Sequence, residues 1–211
     1  MHKYFPTTDS AWLKKVWRFW PLWLLIGIGL IRALLTYNIW FNFLDQSTFF
    51  IFGRLILHGE VIYKDFIHFR TPGLYFLSAL FQWVFGSTLG TEQLLLSLES
   101  YVLYPALLYL AAWLITRRRW VAFTLGLIAA WLPAVLQDRA GLALLAVAAY
   151  IISLSAKNPK DERRWLLGSG LLLGASFTFG QDSAIVALGA IALSELRFKT
   201  RKASATSKTD A

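Results

Sequence analysis

Four aspartates stand beside apolar stretches of the sequence, where a carboxylate would meet water at the edge of a hydrophobic segment. In chain order they are Asp45, Asp65, Asp138 and Asp182. Carboxylates are among the side chains that enzymes use for general acid–base catalysis. The first two lie in a stretch that also carries Lys64, His68 and Arg70. These residues are the candidates for catalysis, provided that the fold places them on the same aqueous side.

Each candidate also has a purely structural interpretation. Asp138 adjoins Arg139, so the two could form an ion pair at a helix end, and Asp182 could simply keep a turn in water. His58 and His68 follow no metal-ligand spacing, which favours structural or solvated roles over ligation. The sequence has no phosphate-binding glycine loop, HExxH helix or nucleophile elbow. A divalent metal is therefore not indicated by spacing, and the cofactor stays unknown.

The composition indicates which kind of fold must position these residues. Of 211 residues, 57% are hydrophobic and 16% are charged, whereas a soluble domain has about a quarter charged. This balance excludes ordinary soluble, disordered and collagen-like chains, and the absence of Cys excludes a disulfide framework. A bilayer core needs about 20 apolar residues per helical crossing. The sequence therefore predicts an all-α, polytopic membrane helical bundle with about six transmembrane helices.

The predicted crossings follow directly from the apolar runs. They are Pro21–Trp40, Gln93–Ile115, Trp120–Leu136, Ala140–Ala156, Trp165–Gly180 and Ala184–Leu196. Arg32 interrupts the first crossing and is expected to snorkel or to pair inside the bundle. The last two are short and form a predicted hairpin with Gln181-Asp182-Ser183 at its tip, and Gly170-x-x-x-Gly174 predicts a helix-packing surface.

The basic clusters predict the topology. They lie at residues 1–18, Arg117–Arg119, Lys157–Arg164 and in the tail from Arg197. If the short Pro72–Phe85 segment lies in the interface and does not cross, all four clusters fall on the cytoplasmic side, as the positive-inside rule prefers. The chain then has a cytoplasmic basic arm (1–18), a membrane module (19–196) with an outer loop (41–92), and a disordered polar tail (197–211). Both termini are cytoplasmic in a plasma or inner membrane.

The outer loop is too apolar for a simple linker and predicts helices in the plane of the interface. Bulky apolar residues alternate with Arg54, His58 and Glu60, while Gly53, Gly59, Pro72 and Gly73 are expected to divide it into short pieces. On this topology all four aspartates face the same aqueous side. The whole candidate set is therefore predicted to lie on the extracytoplasmic face.

The outer loop also resembles a known family. It reads Leu44-Asp45-Gln46, then Phe52-Gly53-Arg54 through Gly59-Glu60-Val61-Ile62-Tyr63-Lys64-Asp65-Phe66, then Arg70-Thr71-Pro72-Gly73 and Phe85-Gly86. This pattern is similar to the first extracytoplasmic loop of the polyprenyl- and dolichyl-phosphate-sugar-dependent membrane glycosyltransferases, which include protein mannosyltransferases and aminoarabinose transferases. The resemblance covers most of residues 20–196, and its specific part is residues 45–86.

The resemblance implies roles for individual residues. Asp45 matches the family's base, which takes the proton of an acceptor hydroxyl group. Arg70 matches the basic residue that binds the lipid phosphate, and Lys64 is a second candidate for that role. Asp65, His68, Asp138 and Asp182 would line the site. The partners implied are a membrane lipid, a polyprenyl-phosphate-linked sugar and a second membrane chain that completes the fold, with no nucleic acid.

Three functions remain open from the sequence. The first is a glycosyltransferase, or the N-terminal half of one, that transfers a hexosyl or pentosyl group from the lipid-linked donor. The second is a non-catalytic membrane subunit or scaffold that keeps the shape of such an enzyme. The third is a small transporter, which ranks last because only Arg32 and Glu99 lie well inside crossings.

Overall fold

The fold is a bundle of helices, seen here in a computed structural model. It describes residues 19–37, 43–66, 72–131 and 140–206, without the side chains of 43–46 and 196–206. Within these ranges the chain is all-helical apart from turns and one isolated bridge between Ile62 and Phe66. The helices are α1 (Trp20–Thr36), α2 (Phe43–Leu57), α3 (Gly73–Phe85), α4 (Leu89–Leu98), α5 (Tyr104–Thr116), α6 (Arg119–Trp131), α7 (Ala140–Leu154), α8 (Pro159–Phe179) and α9 (Gln181–Thr206).

One long helix runs through the middle of the chain. The helices α4 and α5 are joined by a π-helical segment, Glu99–Leu103, into a continuous rod from Leu89 to Thr116. The Thr88 side chain accepts a hydrogen bond from the Thr91 N–H and so caps its start. Pro105 has no N–H to donate, and the helix passes it with a wider turn in which the Tyr104 N–H bonds to the Glu99 carbonyl.

This rod is the one helix among the described residues that is long and apolar enough to cross a membrane. The other apolar helices have 10–17 residues. At 1.5 Å per residue, the 13 residues described for α6 span about 20 Å. The all-α prediction is confirmed, and of the six expected crossings one is matched in length and composition.

The first three of the expected crossings lie side by side and alternate in direction. At one end the Trp20 and Trp120 rings lie 5.5 Å apart, and the Phe19 and Trp113 rings 5.6 Å apart. Near the other end, Arg32 of α1 donates a hydrogen bond to the Ala130 carbonyl at the end of α6. The helices α1 and α6 therefore run in the same direction, with α5 antiparallel to both.

The distribution of side chains is the reverse of that in a soluble protein. The buried residues are mainly alanines, among them Ala33, Ala122, Ala130, Ala146 and Ala148, each with 0% exposure. Large apolar side chains lie outside: Trp83 is 74% exposed, Leu171 76% and Val186 73%. Small residues at helix contacts let backbones approach closely, which is the usual packing of helices within lipid.

Glycine permits two of these close approaches. The backbone of α1 touches the π-helical segment at Gly29, where a Cβ atom would clash with the Tyr101 carbonyl. At Gly73 the start of α3 meets the Thr178 carbonyl near the end of α8 in the same way. By contrast, the surface predicted at Gly170 and Gly174 is wrong within this chain, because a Cβ there would meet no described atom within 4 Å.

The last two helices form the predicted hairpin, with a break at Gly180. Ser169 of α8 donates to the Ala146 carbonyl of α7 at 2.8 Å, and Tyr150 of α7 donates to the Glu195 carboxylate of α9 at 2.5 Å. The prediction of a disordered tail from residue 197 is wrong as far as Thr206, because α9 continues to that residue. Lysine, arginine and alanine favour helix, and extending an existing helix costs less than starting one.

Candidate functional site

The outer loop folds as two helices joined by a turn. Aromatic side chains from α2, the turn and α3 hold it together: the rings of Phe52 and Phe66 stack at 4.8 Å, and the Tyr75 ring meets Phe52 edge-on at 5.3 Å. Gly53 lies inside α2 and does not interrupt it, so the break predicted there is wrong. The breaks predicted at Gly59 and at Pro72–Gly73 are confirmed, because α2 ends just before Gly59 and α3 starts at Gly73.

The turn that follows α2 carries two of the predicted site residues. Gly59 and Tyr63 both have positive φ angles, of 91° and 69°, which for tyrosine is a strained conformation. The Asp65 carboxylate accepts a hydrogen bond from the Val61 N–H at 2.8 Å, and the Tyr63 N–H donates to the Phe66 carbonyl at 2.8 Å. Asp65 therefore holds the turn in shape, and its neighbour Lys64 is exposed.

The remaining predicted site residues are only partly described. Asp45 is the third residue of α2, so its backbone is helical, and its side chain lies outside the described part. His68, Arg70 and Asp138 also lie outside the described residues. Of the predicted set, the structure describes the side chains of Lys64, Asp65 and Asp182, and the first two are neighbours in sequence.

Asp182 lies on a different surface. It stands in the first turn of α9 and lines a groove of about 430 Å³ between α7 and α9. Alanine, leucine and valine make up most of the wall, including Ala143, Leu144 and Val186. Asp182 is exposed and stands two residues after the Gly180 break of the hairpin.

A buried polar cluster that the sequence analysis did not single out joins α2, α3 and α4. Glu92 is 1% exposed, Ser78 0% and Gln82 2%. The Ser78 hydroxyl lies 2.5 Å from the Glu92 carboxylate and accepts from the Gln82 amide at 3.0 Å. Ser78 and Gln82 are four residues apart, so they share one face of α3, and this polar spacing within an apolar run is the signal that would have found them.

The cluster fastens the outer loop to the long helix. The Gln82 amide also donates to the Phe50 carbonyl of α2 at 3.0 Å, and the Ser87 hydroxyl donates to the Gln82 side-chain oxygen at 2.7 Å. Gly53 allows this contact, since a Cβ there would lie 2.6 Å from the Ser78 hydroxyl oxygen. The second carboxylate oxygen of Glu92 has no hydrogen-bond partner among the described residues.

Replacing Glu92 by alanine is expected to destabilise the fold by about 2 kcal/mol, because it removes a buried hydrogen-bonding partner of Ser78 and leaves a cavity. Replacing it by glutamine keeps the volume and one hydrogen bond, and is expected to cost less than about 1 kcal/mol. The free energy of unfolding of each variant in detergent gives the comparison. Equal stability of the two variants would mean that the cluster does not fasten the loop.

A second acid lines a cavity beside the π-helical segment. The cavity has a volume of about 210 Å³ and is enclosed by α3, the long helix, α7 and the end of α8. Glu99 and Tyr104 are its polar residues, and Leu77, Leu107 and Phe179 are among its apolar ones. An acid within an apolar helical bundle is costly, and such residues commonly have functions in membrane proteins.

The described residues contain no group of three or more His, Cys, Asp or Glu side chains that could hold a metal ion. Comparison with protein-family models, curated proteins and solved structures finds no significant match to this chain.

Proposed function

We propose that this chain is an integral membrane glycosyltransferase, or the N-terminal half of one. It transfers a sugar from a polyprenyl-phosphate donor to an acceptor on the extracytoplasmic side. A second membrane chain would complete the fold in the latter case. The proposal combines the sequence pattern of residues 45–86 with two structural features. One is the exposure of large apolar side chains, and the other is the outer loop of two helices joined by a turn.

Membrane residence is supported by the reversed distribution of side chains, and this observation carries that part of the proposal, while the pattern of residues 45–86 carries the sugar transfer. A soluble bundle would expose charge and bury leucine, whereas here α3, α8 and α9 expose Trp83, Leu171 and Val186 to more than 70% and alanine fills the contacts. Lipid is the environment in which this arrangement has the lowest free energy. Side-by-side packing of α5 and α6 in opposite directions is what consecutive crossings with a short connection require.

The placement of the loop supports a reaction at the membrane surface. Gly73, three residues after Arg70, contacts Thr178, which is four residues before Asp182. The start of α3 therefore lies against the end of the α8–α9 hairpin. A lipid-linked sugar has its phosphate at head-group depth, where residues at helix ends can reach it.

In the proposed transfer, one carboxylate acts as the base and two basic side chains bind the leaving phosphate. Asp45 takes the proton of the acceptor hydroxyl as the acceptor oxygen bonds to the anomeric carbon. The bond from that carbon to the phosphate oxygen breaks, and its electron pair leaves with the polyprenyl phosphate. Arg70 and Lys64 stabilise the negative charge on the departing phosphate.

A non-catalytic subunit is the second candidate, and one observation favours it. Among the described residues, Asp65 bonds its own turn, Asp182 lines an apolar groove, and Glu92 is buried in the cluster that fastens the loop. None of these acids faces a shared polar cavity within the described ranges. A chain that only keeps the shape of the enzyme would look the same.

Single-cysteine labelling tests the membrane placement, because the chain has no Cys of its own. Cysteines at Val61, Arg118 and Lys160 are all at exposed positions. An impermeant maleimide is expected to label Val61→Cys in intact cells, and the other two only after the membrane is opened. Labelling of either basic loop in intact cells would overturn the topology.

The direct test of the activity is a transfer assay on the full chain reconstituted in liposomes. Polyprenyl phosphate carrying a radiolabelled hexose or pentose is the donor, and a membrane extract supplies acceptors and partner chains. Label is expected to move from the lipid to an acceptor in amounts that follow the added chain. Folded protein that transfers no label from any donor in the presence of the extract would favour the non-catalytic subunit.

A further inference from the structure

A groove on the outside of the bundle combines an apolar wall with one positive charge. It lies between α1 and the end of α6, has a volume of about 530 Å³, and is lined by Ile28, Ile31, Arg32, Leu35, Thr36 and Trp131. The volume falls within the range of about 300–1,000 Å³ for small-molecule sites. Nothing in the proposed sugar transfer uses this groove.

Arg32 is held rigidly at the groove. Its guanidinium carbon lies 4.4 Å from the centre of the Tyr101 ring and 4.8 Å from that of Trp131, and one N–H donates to the Ala130 carbonyl. Aromatic faces attract the cation but do not neutralise its charge. A guanidinium has five N–H donors, and no carboxylate pairs with Arg32 among the residues that the structure describes.

The apolar wall of the groove is a straight stripe along α1, which is the shape needed to hold an extended acyl chain. Ile28, Ile31 and Leu35 follow the helical spacing that puts residues on one stripe, so they run along the axis of α1 for about 10 Å. Ile31 and Leu35 are 61% and 72% exposed. Arg32 is on the same stripe, one turn before the end of α1, where a long side chain can reach the head-group region.

We propose that this groove binds an anionic phospholipid, with the phosphate on Arg32 and one acyl chain along Ile28, Ile31 and Leu35. Phosphate oxygens match the planar guanidinium fork in geometry and sign. Trp131 covers the head-group end, as tryptophan does at membrane interfaces. The inference rests on membrane residence and not on sugar transfer, so a failed transfer assay leaves it unaffected.

The test measures bound lipid on the full chain. Protein purified in neutral detergent is incubated with equal amounts of phosphatidylglycerol and phosphatidylcholine, and native mass spectrometry counts the retained lipids. The wild-type chain is expected to retain phosphatidylglycerol about tenfold over phosphatidylcholine, because both lipids carry a phosphate but the choline ammonium of the second is a positive charge that Arg32 repels. Arg32→Gln is expected to reduce the ratio to about one.

Two further variants keep the test decisive if Arg32→Gln does not fold. Leu35→Trp fills the groove without touching the Arg32 contacts and is expected to lower retention of phosphatidylglycerol. Leu171→Trp places the same bulk on the exposed face of α8 and should leave retention unchanged. Equal retention of both lipids by the wild type, full retention by Leu35→Trp, or a dimer mass that Leu35→Trp abolishes would each overturn the proposal.

Discussion

Replacement of Asp45 by asparagine is expected to lower sugar transfer by at least about 100-fold, with the fold intact. Asparagine has nearly the size of aspartate but cannot accept the proton of an acceptor hydroxyl, and loss of a general base typically costs 10²–10⁴-fold. Asp45 lies in the first turn of α2, where either residue is well tolerated. The rate of label transfer from the polyprenyl-phosphate donor is the measurement, and thermal unfolding checks the fold.

Matched variants distinguish the loss of a specific base from a general loss of negative charge. Glu60→Gln removes a carboxylate from the turn after α2 and should leave the rate unchanged. Arg70→Ala is expected to slow transfer about 100-fold by removing charge from the leaving phosphate, and Arg70→Lys to recover part of it. If Asp45→Asn is as active as the wild type, Asp45 is not the base and the non-catalytic subunit becomes the better interpretation.

The helices were predictable because apolar runs determine them locally. The predicted segment Ala140–Ala156 corresponds to α7, Ala140–Leu154, and Pro72–Phe85 corresponds to α3, Gly73–Phe85. The ends of the helices were less predictable: α9 continues to Thr206, whereas the predicted segment ended at Leu196. Hydropathy finds apolar segments, but it does not tell where backbone hydrogen bonding stops.

The contacts between helices were not predictable, because they depend on residues far apart in sequence. Glu92 and Ser78 come together only when α3 folds back on the long helix. The sequence predicted that Arg32 snorkels or pairs inside the bundle. In the structure two aromatic rings and the Ala130 carbonyl hold its guanidinium at the edge of an outer groove. Asp65 was counted as part of a site from its position in the pattern, whereas its carboxylate is used by its own turn.

The glycines show most clearly that contacts between helices cannot be predicted from sequence spacing. The sequence contains Gly27, Gly29, Gly170 and Gly174 within apolar stretches, and spacing alone pointed to the last two as the packing surface. Backbone contact instead occurs at Gly29. Its partner, the Tyr101 carbonyl, belongs to the π-helical segment and would face the absent N–H of Pro105 in a regular α-helix. The π-helical distortion before Pro105 therefore determines which glycine makes the backbone contact.

Gly29→Ala is expected to destabilise the protein by about 3 kcal/mol, a large effect for one methyl group. The new Cβ would overlap the Tyr101 carbonyl, and backbone atoms cannot move aside as a flexible side chain can. Separation of α1 from the long helix would also weaken the Arg32 contacts with Tyr101. The midpoint of unfolding in detergent is the measurement, and a lower phosphatidylglycerol ratio should accompany the loss.

Gly27→Ala is the matched control, two residues earlier on the same helix. A Cβ at Gly27 meets no atom of the described chain within 4 Å, and alanine favours helix over glycine by about 1 kcal/mol. This variant is therefore expected to be as stable as the wild type or slightly more so. If both glycine variants unfold alike, the close approach of α1 to Tyr101 is not what holds these helices together. A large loss of stability in Gly29→Ala alone would show that the backbone contact between α1 and the π-helical segment holds these helices together.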